Sequence, residues 1–160
     1  GEQTHSQAQR VFLEKVKGQY QGAVWHLLDD FQSGVVPVRM GDSGTLFVGG
    51  TNRGWGSKGS APFSFERVKW TGKVPFEMHE ITVTKDGFDI SFTEAIDDQI
   101  VVNPELFQMK AWTYQYRSGY GSKGLVDEYE EINLLNGIRS VSGQNLWHPT
   151  VYYTVNELRD

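Results

Sequence analysis

The chain has 160 residues and a formal net charge of −5, with 38% hydrophobic and 13% aromatic residues, enough apolar area for one domain or two small ones. Its 15 basic residues are scattered, which excludes the concentrated positive surface that nucleic acid requires and disfavours an anionic membrane surface. Cysteine is absent and no apolar run approaches the roughly 20 residues of a membrane span, so disulfides, thiolate metal sites, Cys nucleophiles, covalent c-type haem and a helical span are excluded.

In chain order, the opening stretch from Gly1 to Gln7 reads as interior sequence, so the chain is expected to be a mature form or a fragment. Residues 10–16 carry β-branched and aromatic side chains, and Lys17-Gly18 ends that run. Tyr20 to Leu28 and Val35 to Met40 are the next two apolar runs. Gly41-Asp42-Ser43-Gly44 is a turn signal, and Thr45 to Val48 a short buried strand. Seven glycines fall between Gly41 and Gly59; a loop of that composition can approach a ligand or another backbone closely. Phe63 to Trp70 alternates as a strand does, and residues 71–75 read as a linker.

Beyond the linker, Phe76 to Thr84 and Phe88 to Phe92 flank a Lys85-Asp86-Gly87 hairpin turn. Residues 96–106 are irregular, with one helical turn expected after Asn103-Pro104, since Asn caps and Pro suits the first helical position. Trp112, Tyr114 and Tyr116 alternate with Thr113 and Gln115, which puts three aromatics on one face of a strand. Val151 to Val155 is a closing strand, and no internal repeat or long amphipathic helix is visible. The expected fold class is therefore all-β.

Several segments resemble the final blade of the large sorbosone- and glucose-dehydrogenase-like β-propeller proteins of environmental bacteria. They are residues 10–23, Phe31-Gln-Ser-Gly34, Leu46-Phe-Val-Gly-Gly-Thr-Asn-Arg-Gly-Trp-Gly-Ser57 and Trp70-Thr-Gly-Lys73. Asp86-Gly-Phe-Asp-Ile-Ser-Phe-Thr93, Gly137-Ile-Arg-Ser140 and Tyr152-Tyr-Thr-Val-Asn156 resemble the immunoglobulin-like domain that follows that blade in the family. The resemblance covers most of the chain from about Arg10, and residues 51–56 are its most specific element. It implies a last blade over residues 1–73 and an immunoglobulin-like β-sandwich over residues 74–160. Compared with the family, the chain is short after Asp127, which implies an internal gap near residues 127–131.

The resemblance further implies a secreted or periplasmic sugar- or aldehyde-oxidising parent. Relatives often use pyrroloquinoline quinone (PQQ), and some carry a separate cytochrome c domain. A quinone site is built from several blades, so no cofactor and no complete active site are expected in this chain alone. Its expected partners are the remaining blades or other subunits, because one blade exposes two apolar faces. The other readings are a non-catalytic carbohydrate-binding module and an accessory extracytoplasmic subunit of a larger membrane-associated complex.

Asn52, Arg53 and Trp55 are the candidate cofactor-binding residues. Arginine pairs bidentately with a carboxylate, as in a quinone acid or sugar acid, and Trp55 would stack on a planar group. The alternative reading of the same loop is an interblade connection, with Arg53 on backbone carbonyls and Trp55 on a neighbouring blade. Trp112, Tyr114 and Tyr116 are candidate carbohydrate-stacking residues, or one aromatic face of a sandwich core. The four histidines, His5, His26, His79 and His148, are isolated and lack zinc-ligand spacing. Asp29-Asp30, Asp97-Asp98 and the acidic run 127–131 lack the donor spacing of a calcium loop. No Gly-x-Ser-x-Gly elbow and no phosphate loop is present.

Overall fold

Lys17 and Gly18 both take positive φ, 46° and 88°, the left-handed pair that a two-residue type I′ hairpin requires. They close β1 (Ala8–Val16) onto β2 (Gln19–Leu28). The computed structural model describes residues 1–54, 56–101, 103–114, 118–119, 124–125, 131–134 and 137–160. Strands dominate, the sheets are antiparallel, and no helix reaches seven residues among the described residues; the protein is all-β. The chain divides into two compact units, Gly1–Arg10 with Trp25–Val74, and Val11–Val24 with Pro75–Asp160.

The first unit is built on β3 (Val35–Met40), β4 (Leu46–Thr51) and β5 (Phe63–Val68), three antiparallel strands in that spatial order. Val35 pairs with Gly50 and Val38 with Val48, so β3 carries one extra residue. That bulge turns both valines to one side despite their odd spacing. It also accommodates Pro37, whose missing N–H is tolerated on an edge strand. Val35, Val48, Ala8 and Phe31 form the core, with Leu28, Val38, Leu46 and Val68 packed against it. Arg10 sits over the buried Trp25 ring, 4.5 Å from its centroid.

In the second unit, β6 (Met78–Val83) and β7 (Phe88–Phe92) form a hairpin. A register shift between Met78 and Glu80 restores the phase that buries Met78, Ile81 and Val83 together. The chain continues through a helical turn at Asp98–Val101, which sequence periodicity does not predict, and a 3₁₀ turn at Pro104–Leu106. The Asn103 side chain caps the latter, accepting a hydrogen bond from the Glu105 N–H at 3.0 Å.

Then come β8 (Phe107–Lys110), β9 (Thr113–Tyr114), β10 (Gly124–Leu125), β11 (Glu131–Leu134) and β12 (Thr150–Thr154). Five strands make one sheet in the order β1-β2-β12-β11-β8, while β9 pairs only with β10. Phe76 stacks on Phe92 with ring centroids 5.5 Å apart, and Phe88 meets Tyr153 edge-on at 5.0 Å. Residues 126–130, which cover most of the expected gap region, lie outside the described residues.

Candidate functional site

The glycine-rich segment after β4 is organised by Asn52. Its amide nitrogen donates to the Gly59 carbonyl at 2.6 Å and to the Ala61 carbonyl at 2.9 Å. Its amide oxygen accepts from the Gly34 N–H at 3.3 Å and from the Ser57 hydroxyl. Two donors and two acceptor positions are thereby filled, which is the full capacity of an amide side chain. The backbone adds to this brace: Asn52 N–H donates to the Pro62 carbonyl at 3.0 Å, and Thr51 N–H to the Gly34 carbonyl at 2.8 Å.

Other residues of this unit tie the far side of the loop. The buried Ser6 hydroxyl accepts from the Gly59 N–H at 2.9 Å, and Lys58 N–H donates to the Thr4 carbonyl at 2.8 Å. A Cβ on Gly59 would stand 2.4 Å from the Phe31 carbonyl oxygen. Glycine is required there because two backbones touch, which is the structural use of one of the seven glycines.

At the tip, Gly54 has φ +74°. The preceding Arg53 is exposed, with its backbone N–H held by the Thr51 hydroxyl oxygen at 3.1 Å. Its guanidinium makes no ion pair among the described residues. Trp55 lies outside the described residues. A shallow open cleft of about 400 Å³ lies beside the loop, lined by Asp30, Phe31, Gln32, Lys58 and Gly59 to Ala61. Asn52 and Arg53 are not among its walls. The Asp30 carboxylate pairs with the Lys58 ammonium at 2.8 Å, which lowers the pKa of the acid and raises that of the amine. Both groups are solvated, so the pair clasps the cleft loosely.

The aromatic segment gives no continuous strand over the described residues. Trp112 precedes β9, is half-buried, and meets Tyr152 edge-on at 6.2 Å. Tyr114 lies in β9, paired with Gly124 across the two-stranded sheet. Tyr116 lies outside the described residues.

Sequence reasoning passed over two polar clusters of the second unit. Glu14 is buried and accepts hydrogen bonds from the Tyr153 hydroxyl, the Val83 N–H at 2.9 Å, Gln21 at 3.4 Å and Arg159 at 2.5 Å. Glu77 and His148 form a second pair, Oε1 to Nδ1 at 2.5 Å, with the Trp147 ring stacked on the imidazole at 4.7 Å. The available signal was the phase of β1. Its even positions face inward, so Glu14 goes in while Val11 and Leu13 stay exposed.

No protein-family model matches the chain, nor does any curated protein or solved structure. Among the described residues, no three His, Asp or Glu side chains are grouped so as to hold a metal ion. No helix of the described residues is long and apolar enough to cross a membrane. Toward a quinone acid or sugar acid the loop offers one uncommitted cation, Arg53, on a braced backbone; the Asn52 amide is spent on the brace.

Proposed function

We propose that this chain is the C-terminal portion of a secreted or periplasmic sugar- or aldehyde-dehydrogenase-like β-propeller protein. In this reading residues 1–73 supply the last blade and residues 74–160 an immunoglobulin-like sandwich, with the exception that residues 11–24 belong to the second compact unit, where β1 and β2 share a sheet with β12, β11 and β8. The role is mainly structural: the blade completes the ring, the sandwich docks, and the chain has no complete active site of its own. Any quinone, such as PQQ, belongs to the full-length protein, whose other blades would build most of its site.

One observation supports this above others. The β3-β4-β5 sheet has a core on one face, and on the other it exposes Phe63 (77%) and Phe65 (78%), the latter stacked on Phe47 with centroids 5.9 Å apart. An antiparallel sheet with a core on one face and exposed aromatic rings on the other is consistent with three of the four strands of a propeller blade whose neighbour is taken away. Arg53, at the tip of the loop that Asn52 braces, would then reach toward the rim of the site as a carboxylate anchor.

The test is to express the full reading frame and this chain separately. Quinone-dependent dye reduction with aldoses or aldehydes by the long form only, diminished by Arg53→Ala, supports the proposal. A monomeric 160-residue chain that turns over substrate unaided overturns it. Retention of the chain on insoluble polysaccharide, lost in Trp112→Ala, would replace it with the carbohydrate-binding reading.

A further inference from the structure

The exposed face of the β3-β4-β5 sheet is not uniformly apolar. Arg39 pairs with Phe47, and Phe47 with Arg67, so the three residues form one row across the strands. Directly paired residues of antiparallel strands project to the same face. Here it is the face opposite Val48, since Phe47 precedes Val48 in β4. The next rows place Phe65 opposite Gly49 and Phe63 opposite Thr51. Aromatic surface thus fills one end of the face, and two guanidinium groups flank the ring at the other.

Both arginines are exposed, and neither makes an ion pair among the described residues. This is notable in a chain with 20 acidic and 15 basic residues. Burying Phe63 and Phe65 under another sheet would strip water from the guanidinium groups in the same contact. Desolvating an unpaired charge costs more than an aromatic contact returns, so each arginine would need a carboxylate across the interface.

We infer that this face docks an apolar β-surface bearing two carboxylates, one over Arg39 and one over Arg67. Strands are spaced 4.7–4.9 Å, so the two arginine Cα atoms stand ~10 Å apart across the sheet. The matching acids therefore lie at one level on two strands of the partner that are separated by a third. Bidentate Arg–carboxylate pairing at both places would fix register as well as affinity. The inference rests on the propeller reading, in which the partner sheet belongs to the same polypeptide upstream of residue 1.

The experiment compares the 160-residue chain with the upstream-extended polypeptide, both unsubstituted. Phenylglyoxal modification of arginine and hydroxyl-radical labelling of Phe63 and Phe65 are read residue by residue by mass spectrometry. In the extended form, labelling of both phenylalanines and modification of Arg39 and Arg67 should all fall severalfold relative to the chain alone. Protected phenylalanines beside arginines that still react as in the isolated chain would overturn the two-carboxylate docking and leave the propeller reading standing. Phenylalanines labelled equally in both forms would sink the propeller reading itself. Protection that develops in the isolated chain as its concentration rises would assign the face to a second copy instead, against the inference.

Discussion

The Tyr153 hydroxyl donates a hydrogen bond to the Glu14 carboxylate, joining residues 139 positions apart in sequence. Glu14 lies on β1 and Tyr153 on β12, two strands separated by β2 in the five-stranded sheet. The carboxylate is buried, so its stability depends on donors, and Tyr153, Val83, Gln21 and Arg159 supply them. The Gln21 amide oxygen also accepts from the N–H groups of Asn156 and Glu157, both at 2.9 Å, which ties the C-terminal segment to the same hairpin. Tyr153→Phe removes one charge-assisted bond without changing shape and should cost ~2 kcal/mol. A urea unfolding midpoint that does not move would contradict this.

The same cluster makes the second unit sensitive to acid. Burial is the largest single influence on Glu14 and pushes its pKa up. The hydrogen bonds from Tyr153, Val83, Arg159 and Gln21 outweigh it, so the group sits below its ordinary value of 4.5. A depressed folded-state pKa gives stabilisation that is present above the unfolded value and is lost as pH falls through the folded one. Glu14→Gln should therefore be less stable than the parent at neutral pH and lose less on acidification. Glu2, Asp30 and Glu94 are also held low, but they titrate in both proteins, so the difference in unfolding midpoints isolates Glu14.

Asn52 separates two kinds of damage. Asn52→Ala leaves the Ala61 carbonyl without its side-chain donor, while the Gly59 carbonyl keeps the Ser57 hydroxyl at 2.7 Å, and should cost ~2 kcal/mol, since a polar group orphaned in a partly buried loop is expensive. Asn52→Asp keeps the shape but turns an acceptor toward those two carbonyls, so it should be at least as harmful. Thermal unfolding of the two variants side by side would decide. An Asp variant as stable as the parent would show that the amide donors contribute nothing.

Gly59→Ala puts a methyl group 2.4 Å from the Phe31 carbonyl oxygen, and that oxygen belongs to backbone. Overpacking against a rigid neighbour costs ~1–3 kcal/mol. Hydrogen exchange of the Lys58 and Ala61 amides, bonded to Thr4 and Gln32, should accelerate in this variant.

Replacing Phe63 and Phe65 together by Thr should leave the stability of the isolated chain within ~0.5 kcal/mol, as for exposed positions generally. Threonine is tolerated in strands. Binding of a dye specific for exposed apolar surface should drop. A large loss of stability would mean that these rings support the first unit's own core.

Much of the architecture was legible because strand period and turn chemistry are local. Val35–Met40 and Phe88–Phe92 are strands over the residues expected, and the run that Lys17-Gly18 was expected to end does stop at Val16, where the pair closes a hairpin. The 3₁₀ turn after Asn103 also follows from its cap and proline. The candidate loop was visible from its glycines, but the division of labour within it was not. Asn52 became a brace only through Gly34, Gly59 and Ala61, which share no sequence pattern with it.

What the sequence determined by itself was the all-β class and the absence of cysteine chemistry, because composition and two-residue alternation need no partner strand. Tertiary structure alone decided which face of each strand was covered. It sent Glu14 inward to Tyr153, and it left Phe63 and Phe65 outward beside Arg39 and Arg67. The physical reason is that alternation marks two faces as different without saying which one meets a neighbour. Bulges such as the one between Val35 and Val38 then shift that phase midway along a strand.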